Sequence, residues 1–141
     1  MGDAIVVGTD GSETAKRAVS EAARLAKALD ADLHVVSAYE PLRVARSAGG
    51  KEVGPLPDAV VDSTLAQAAA IVRLTEVPVH THAVRSDPAD ALIEVADAVG
   101  ATMIIVGNQG MHGAKRVLGS VPNSVSHKAT CNVLIVATDP R

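Results

Sequence analysis

Apolar positions along the chain switch repeatedly between a short continuous run and a helical spacing. "AIVVG" (Ala4–Gly8) is apolar on both faces, and behind Ser12 and Glu13 the residues Ala15, Val19, Ala22, Leu25, Ala26 and Leu29 recur on one helical stripe. "LHVVSAY" (Leu33–Tyr39) predicts a second strand. The Pro- and Gly-rich stretch Pro41–Pro57 has no usable period and reads as a mobile loop. Helical spacing returns over Asp58–Arg73 through Val61, Leu65, Ala68, Ala69 and Val72. "VPVHTHAV" then alternates, with His80 and His82 on one face and Val79, Thr81 and Ala83 on the other. Alternation with Pro78 at its start predicts an edge strand.

"SDPADALIEVADAVG" carries its own punctuation. Asp87 is placed to cap a helix, Pro88 to occupy its first turn and Gly100 to end it, while Leu92, Val95, Ala96 and Val99 form the buried stripe. "TMIIVG" predicts a buried fourth strand, Ser120–Ala129 a last helix and "NVLIVA" a fifth strand. Each parallel crossover needs a helix and a right-handed return, so five strands interleaved with four helices specify an α/β fold: an open parallel five-stranded sheet with helices on both faces. No internal repeat interrupts the chain, and residues 1–141 are expected to form one domain.

Composition narrows the picture. Hydrophobic residues make up 48% of the chain but aromatic residues only 1%, with one Tyr, no Phe and no Trp, so the core must be assembled from Val, Leu, Ile and Ala. A formal net charge of -3 lacks the basic footprint of a nucleic-acid binder. The first apolar run ends by Gly8, too short for a signal peptide or membrane span, and Val6 stands where myristoylation needs Ser or Thr. Cys131 is the sole cysteine, which fits a reducing compartment. A cytoplasmic protein with no nucleic-acid or membrane partner is expected.

The chemistry concentrates in "VGNQGMHGAKRVLGSVPNSV" (Val106–Val125), with glycines at 107, 110, 113 and 119, directly after the fourth strand. In an open parallel sheet, ligands bind beyond the carboxyl ends of the strands where strand order reverses. Helix N-termini and free backbone N–H groups attract anions, and glycine lets the backbone approach them closely. Ser120 is expected to cap the last helix, with Val121, Pro122 and Asn123 in its first turn, and the N–H groups around Gly119–Val121 are expected to hold a phosphate. A plain strand-to-helix turn needs only one or two glycines, and four of them beside Lys115 and Arg116 favour phosphate. The stretch is no Walker A loop, and strand one is not followed by the dinucleotide fingerprint.

These residues resemble the single-domain universal stress proteins, and the likeness covers nearly the whole chain. The ATP-binding members carry G-x2-G-x9-G-[ST], and Gly107, Gly110, Gly119 and Ser120 match its glycines and hydroxyl, with eight residues in place of nine between the second and third glycine. "VVGTDGS" resembles the family's strand-one end. The resemblance implies an adenine nucleotide alpha hydrolase-like fold of strand order 3-2-1-4-5 and ATP as ligand, with Mg²⁺ or Mn²⁺ carried through its phosphates. It implies a site built from Gly8, Thr9, Asp10, Ala38, Val106, Gly107 and Asn108, continued through Gly110, Met111, His112, Gly113, Lys115 and Arg116, and closed by Gly119, Ser120, Val121 and Pro122. Asp10 would approach the ribose or the phosphate-bound ion, against its alternative role in an Asx turn. Ala38 would face the adenine, which would rest on aliphatic groups.

His80 and His82 are read as solvated edge histidines in preference to a metal pair, since no third ligand is evident. His112 lies in the phosphate loop as a γ-phosphate contact or a surface histidine, and Cys131 reads as an inert thiol. No Ser-His-Asp or paired-carboxylate pattern supports a catalytic residue or a metal site made by protein alone. The expected function is an ATP-binding stress-response regulator, a ligand-gated dimeric module read by an unknown protein partner. A slow ATPase or phosphotransferase and a cyclic-AMP binder are the alternatives. Val133–Val136 is apolar on both faces and has no protecting charge or proline, so the fifth strand is expected to be covered by its symmetry mate in a homodimer, as the resemblance also implies.

Overall fold

A computed structural model of the chain describes residues 2–39, 57–108 and 118–138. Nine elements alternate without exception: β1 (Ala4–Gly8), α1 (Glu13–Leu29), β2 (Asp32–Tyr39), α2 (Pro57–Arg73), β3 (Val79–Arg85), α3 (Pro88–Val99), β4 (Met103–Gly107), α4 (Ser120–Lys128) and β5 (Asn132–Val136). The strands form one sheet in the order β3-β2-β1-β4-β5, and every pairing is parallel. The predicted class and strand order are thus the observed ones, with β3 at one edge and β5 at the other.

The doubly apolar strands are explained by the two cores they serve. Ile5 and Val7 of β1, Leu33 and Val35 of β2 and Ile105 of β4 face α1 and α2, whereas Val6, Val36, Ile104 and Val106 face α3 and α4. The buried hydrophobic residues are all Ala, Val, Leu or Ile, as the scarcity of aromatics demands. Tyr39, at the end of β2, is half-buried against the α1/α2 core.

Local signals set the helix ends. Ser12 caps α1, its Oγ accepting from Ala15 N–H at 3.2 Å, and Asp87 caps α3, its Oδ1 accepting from Asp90 N–H at 3.1 Å. Gly100 ends α3 at φ 65°, a left-handed conformation that glycine adopts without steric cost. Asp30 closes α1 in the same region at φ 55°, a residue type that tolerates it. The cap expected at Ser120 is displaced by one residue. Gly119 is the N-cap of α4 and no side chain bonds there, because Ser120 has already turned into the helix as its first residue. Asn123 N–H closes the first turn onto Gly119 C=O at 3.1 Å.

Candidate functional site

The carboxyl ends of β1 and β4 diverge where the chain order reverses, and a cleft opens there. β1 leaves the sheet through Gly8, Thr9 and Asp10. Thr9 N–H donates to Val36 C=O at 2.9 Å and so continues the β1–β2 pairing by one residue. Gly11 N–H then donates to Thr9 Oγ1 at 3.1 Å, and Ser12 N–H to Asp10 Oδ1 at 2.9 Å. Gly11 itself sits at φ 84°, the one position in this turn that requires glycine. Asp10 therefore does form an Asx turn, and it also borders the cleft.

The cavity measures about 130 Å³. Its floor combines Gly8 and Gly107 with Val36, Ala38 and Val106; Leu92 and Pro88 of α3 form one wall, Thr14 and Ala15 of α1 another, and Val121 and Pro122 of α4 close it. Leu92 crosses Gly8 closely: a Cβ there would stand 3.2 Å from a Leu92 methyl and would press on it. The space is smaller than the roughly 300–1,000 Å³ of pockets that enclose whole drug-sized ligands. Its aliphatic lining suits one flat ring system resting on Val36, Ala38 and Leu92.

At the α4 side the surface changes character. The first N–H groups of a helix have no intrahelical acceptor, which here leaves those of Gly119, Ser120 and Val121, Pro122 having none to offer. No acidic residue occupies that first turn, so the partial positive charge of the helix end is unopposed from within α4. His127 and Lys128 complement the opposite end, and Lys128 Nζ reaches Asp90 Oδ1 of α3 at 3.0 Å. A small apolar cavity thus adjoins an anion-attracting helix terminus.

Of the residues expected to make the site, Gly8, Thr9, Asp10, Ala38, Val106, Gly107, Val121 and Pro122 line this one cleft, and Gly119 and Ser120 begin the helix beside it. Gly110, Met111, His112, Gly113, Lys115 and Arg116 lie outside the described residues, as do residues 41–56 of the expected loop Pro41–Pro57, whose last residue instead begins α2. Asn108 has a structural occupation. It is 5% exposed, and its Oδ1 accepts both the N–H and the Oγ1 hydroxyl of Thr138, at 2.9 and 2.8 Å, locking the end of β4 to the chain beyond β5. Asn108→Ala is expected to leave both Thr138 donors without that acceptor and to cost about 1–3 kcal/mol, read as a lower urea midpoint at unchanged slope. Thr138→Val, which keeps the backbone bond, should cost less.

Val36, Leu92, Pro88, Thr14 and Ala15 were not anticipated as lining residues. Val36 was accessible in principle, since it lies two positions before Ala38 and strand side chains repeat every second residue. The others reach the cleft through tertiary packing. Cys131 is half-buried, and burial pushes its thiol above the ordinary value, in keeping with an unactivated sulfur.

Residues 1–137 match the family model described as the universal stress protein family. The chain belongs to this family. Among its relatives, the universal stress protein Rv1636 of Mycobacterium tuberculosis is 38% identical over 95% of both chains, and universal stress protein MJ0531 of Methanocaldococcus jannaschii is 29% identical over 94% of this chain and 80% of its own. Solved structures of the family share its fold. A universal stress protein in complex with cAMP gives a TM-score of 0.78 at 34% identity, covering 98% of each chain. The protein from Archaeoglobus fulgidus in complex with dAMP gives 0.73 at 25% identity, over 94% of this chain and 96% of that one. No described helix is long and apolar enough to cross a membrane.

Proposed function

We propose that this chain binds an adenine nucleotide in the cleft between β1, β2 and β4, and that ATP occupancy switches a surface of a single-domain, dimeric stress-response regulator working in the cytoplasm. The observation that carries this reading is the junction of an aliphatic cavity with an acid-free helix N-terminus at the point where strand order reverses. The adenine would lie on Val36 and Ala38, and the phosphates would extend toward Gly119, Ser120 and Val121. The family relatives support the base end of this assignment, because the ligands of the cAMP and dAMP complexes share adenine on a pentose.

Among the described residues no group of three or more His, Cys, Asp or Glu is arranged to hold a metal ion. A Mg²⁺ or Mn²⁺ would therefore arrive on the phosphates, with Asp10 the carboxylate that lines the cleft. Cyclic AMP is the second reading, favoured by the 34% identical structure solved with it. Mass spectrometry of ligand carried through native purification, followed by competition between ATP and cyclic AMP, decides between them. Retention of a nucleotide and displacement of one by the other support the site; no adenine ligand at millimolar concentration overturns it. A single-turnover experiment with Mg-ATP separates a binder from a slow ATPase.

The dimer is proposed through β5, whose Val133–Val136 are all half-buried in a strand that, among the described strands, pairs with β4 alone. Val133 and Ile135 belong to one core and Leu134 and Val136 to the other, so pairing by a second copy would extend both cores across the edge. Sedimentation at micromolar concentration is expected to give a dimer, and a monomer removes this part of the reading.

A further inference from the structure

The face of the sheet that bears the cleft carries three histidines at its far corner. Register pairs His34 of β2 with His80 of β3, and Val36 with His82, so all three rings project from the side shared by Val36 and Ala38. His34 Nδ1 and His82 Nε2 are 2.8 Å apart in a hydrogen bond. The rings of His34 and His80 stack with centroids 4.6 Å apart and 17° between their planes. His80 Nε2 lies 3.2 Å from Asp32 Oδ2, and Asp32 is the acidic group facing the cluster from the strands. Val6 of β1 pairs with His34, and α3, which covers this side of the sheet, turns Leu92, Val95 and Ala96 inward, while its Asp90, Glu94 and Asp97 are exposed and Asp90 is bound to Lys128. Only His80 of the sequence-singled pair is an exposed edge histidine. His82 is half-buried and partnered.

An imidazole-to-imidazole hydrogen bond needs a lone pair on one ring, so His34 and His82 can share the bond with one proton too many but not with two. We propose that the His34–His82 pair is a proton-operated clasp that holds the edge strand β3 on β2 while at least one of the two rings is neutral and releases it when acid protonates both. Burial first, then the neighbouring imidazoles, hold His34 below the ordinary histidine value despite the opposing pull of Asp32; burial and His80 do the same for His82. The closed clasp therefore binds fewer protons than the open strand. Its stability is complete above the ordinary value of about 6.5 and falls as pH falls below it. Among the described strands β3 pairs with β2 alone, so it can open without unfolding the sheet. Ala38 and Val84 are paired in the same ladder, which carries the release to the floor of the cleft.

The test uses amide hydrogen exchange on the intact chain, corrected for the intrinsic pH dependence of exchange, together with ring C–H resonances of the histidines. From about pH 7.5 to about pH 5.5, protection of the β3 amides is expected to fall about tenfold or more while β1 amides keep theirs. In His82→Gln, which retains a polar group without a titrating one, the fall should shrink. In the wild type, the rings of His34 and His82 should report the same coupled protonation steps, with the second proton taken up below the ordinary histidine value. Equal pH dependence of β3 protection in wild type and His82→Gln overturns the clasp, as do unchanged β3 protection in acid and independent ring titrations at about 6.5. The resonance measurement keeps the proposal open to refutation even where the variant folds poorly.

Discussion

Glutamate in place of Ser120 is expected to lower ATP affinity at least about tenfold, roughly 1.4 kcal/mol, while leaving the fold and the oligomeric state unchanged. Ser120 is exposed and is the first residue of α4, so among the described residues a longer side chain there meets no packed neighbour. An acid in the first turn of a helix is normally stabilising by about 0.3–1 kcal/mol. Unfolding is thus excluded as the route to weaker binding, and what remains is repulsion and displacement of phosphate from the α4 N–H groups. Adenosine, which lacks that group, should lose much less. Calorimetric titration of both ligands against both proteins reads the difference; equal losses, or none, would mean that the phosphates lie elsewhere.

Ala38→Leu should give the opposite pattern and the larger effect. Ala38 contributes to the floor of a cavity of about 130 Å³, and three added carbons would occupy a large part of it. Since Ala38 is half-buried at the end of β2, the new side chain has the empty cavity to enter, and the cost of overpacking, typically about 1–3 kcal/mol, should be small here. Adenosine and ATP should both weaken by about a hundredfold, or 2.7 kcal/mol, because the base is excluded whatever follows it. Differential loss between the two ligands in this variant would contradict the placement of adenine on β2. Taken with Ser120→Glu, the pair assigns base and phosphate to separate ends of one cleft.

The order of elements was legible because each signal is local. A doubly apolar run of five residues cannot serve a one-sided sheet, and Asp87, Pro88 and Gly100 state both ends of α3 within the one segment Asp87–Gly100. Where sequence reading missed, the missing term was non-local or a matter of one residue. Ser120 has the right side chain for a cap, yet the helix begins at it, and nothing in the adjacent residues distinguishes Gly119 as N-cap from Ser120. The partnership of His34 with His82 depends on the β2–β3 register, which hydrophobic pattern alone does not define. Likewise, the contact of Leu92 with Gly8 and the bonds from Thr138 to Asn108 join segments that meet only when the sheet has formed. The cleft could be located by topology, while most of its wall could not.

Tyr39 offers a practical consequence of the core's composition. It is the only aromatic side chain besides the five histidines, and it follows Ala38 directly at the end of β2. With no tryptophan to accept its excitation or mask its emission, the intrinsic ultraviolet fluorescence of the chain comes from one ring, half-buried on the α1/α2 side of the strand whose other side floors the cleft. Nature has therefore fitted the protein with a single unlabelled optical probe, one residue from the proposed base contact, through which occupancy of the cleft and acid release of β3 can both be followed in the native chain.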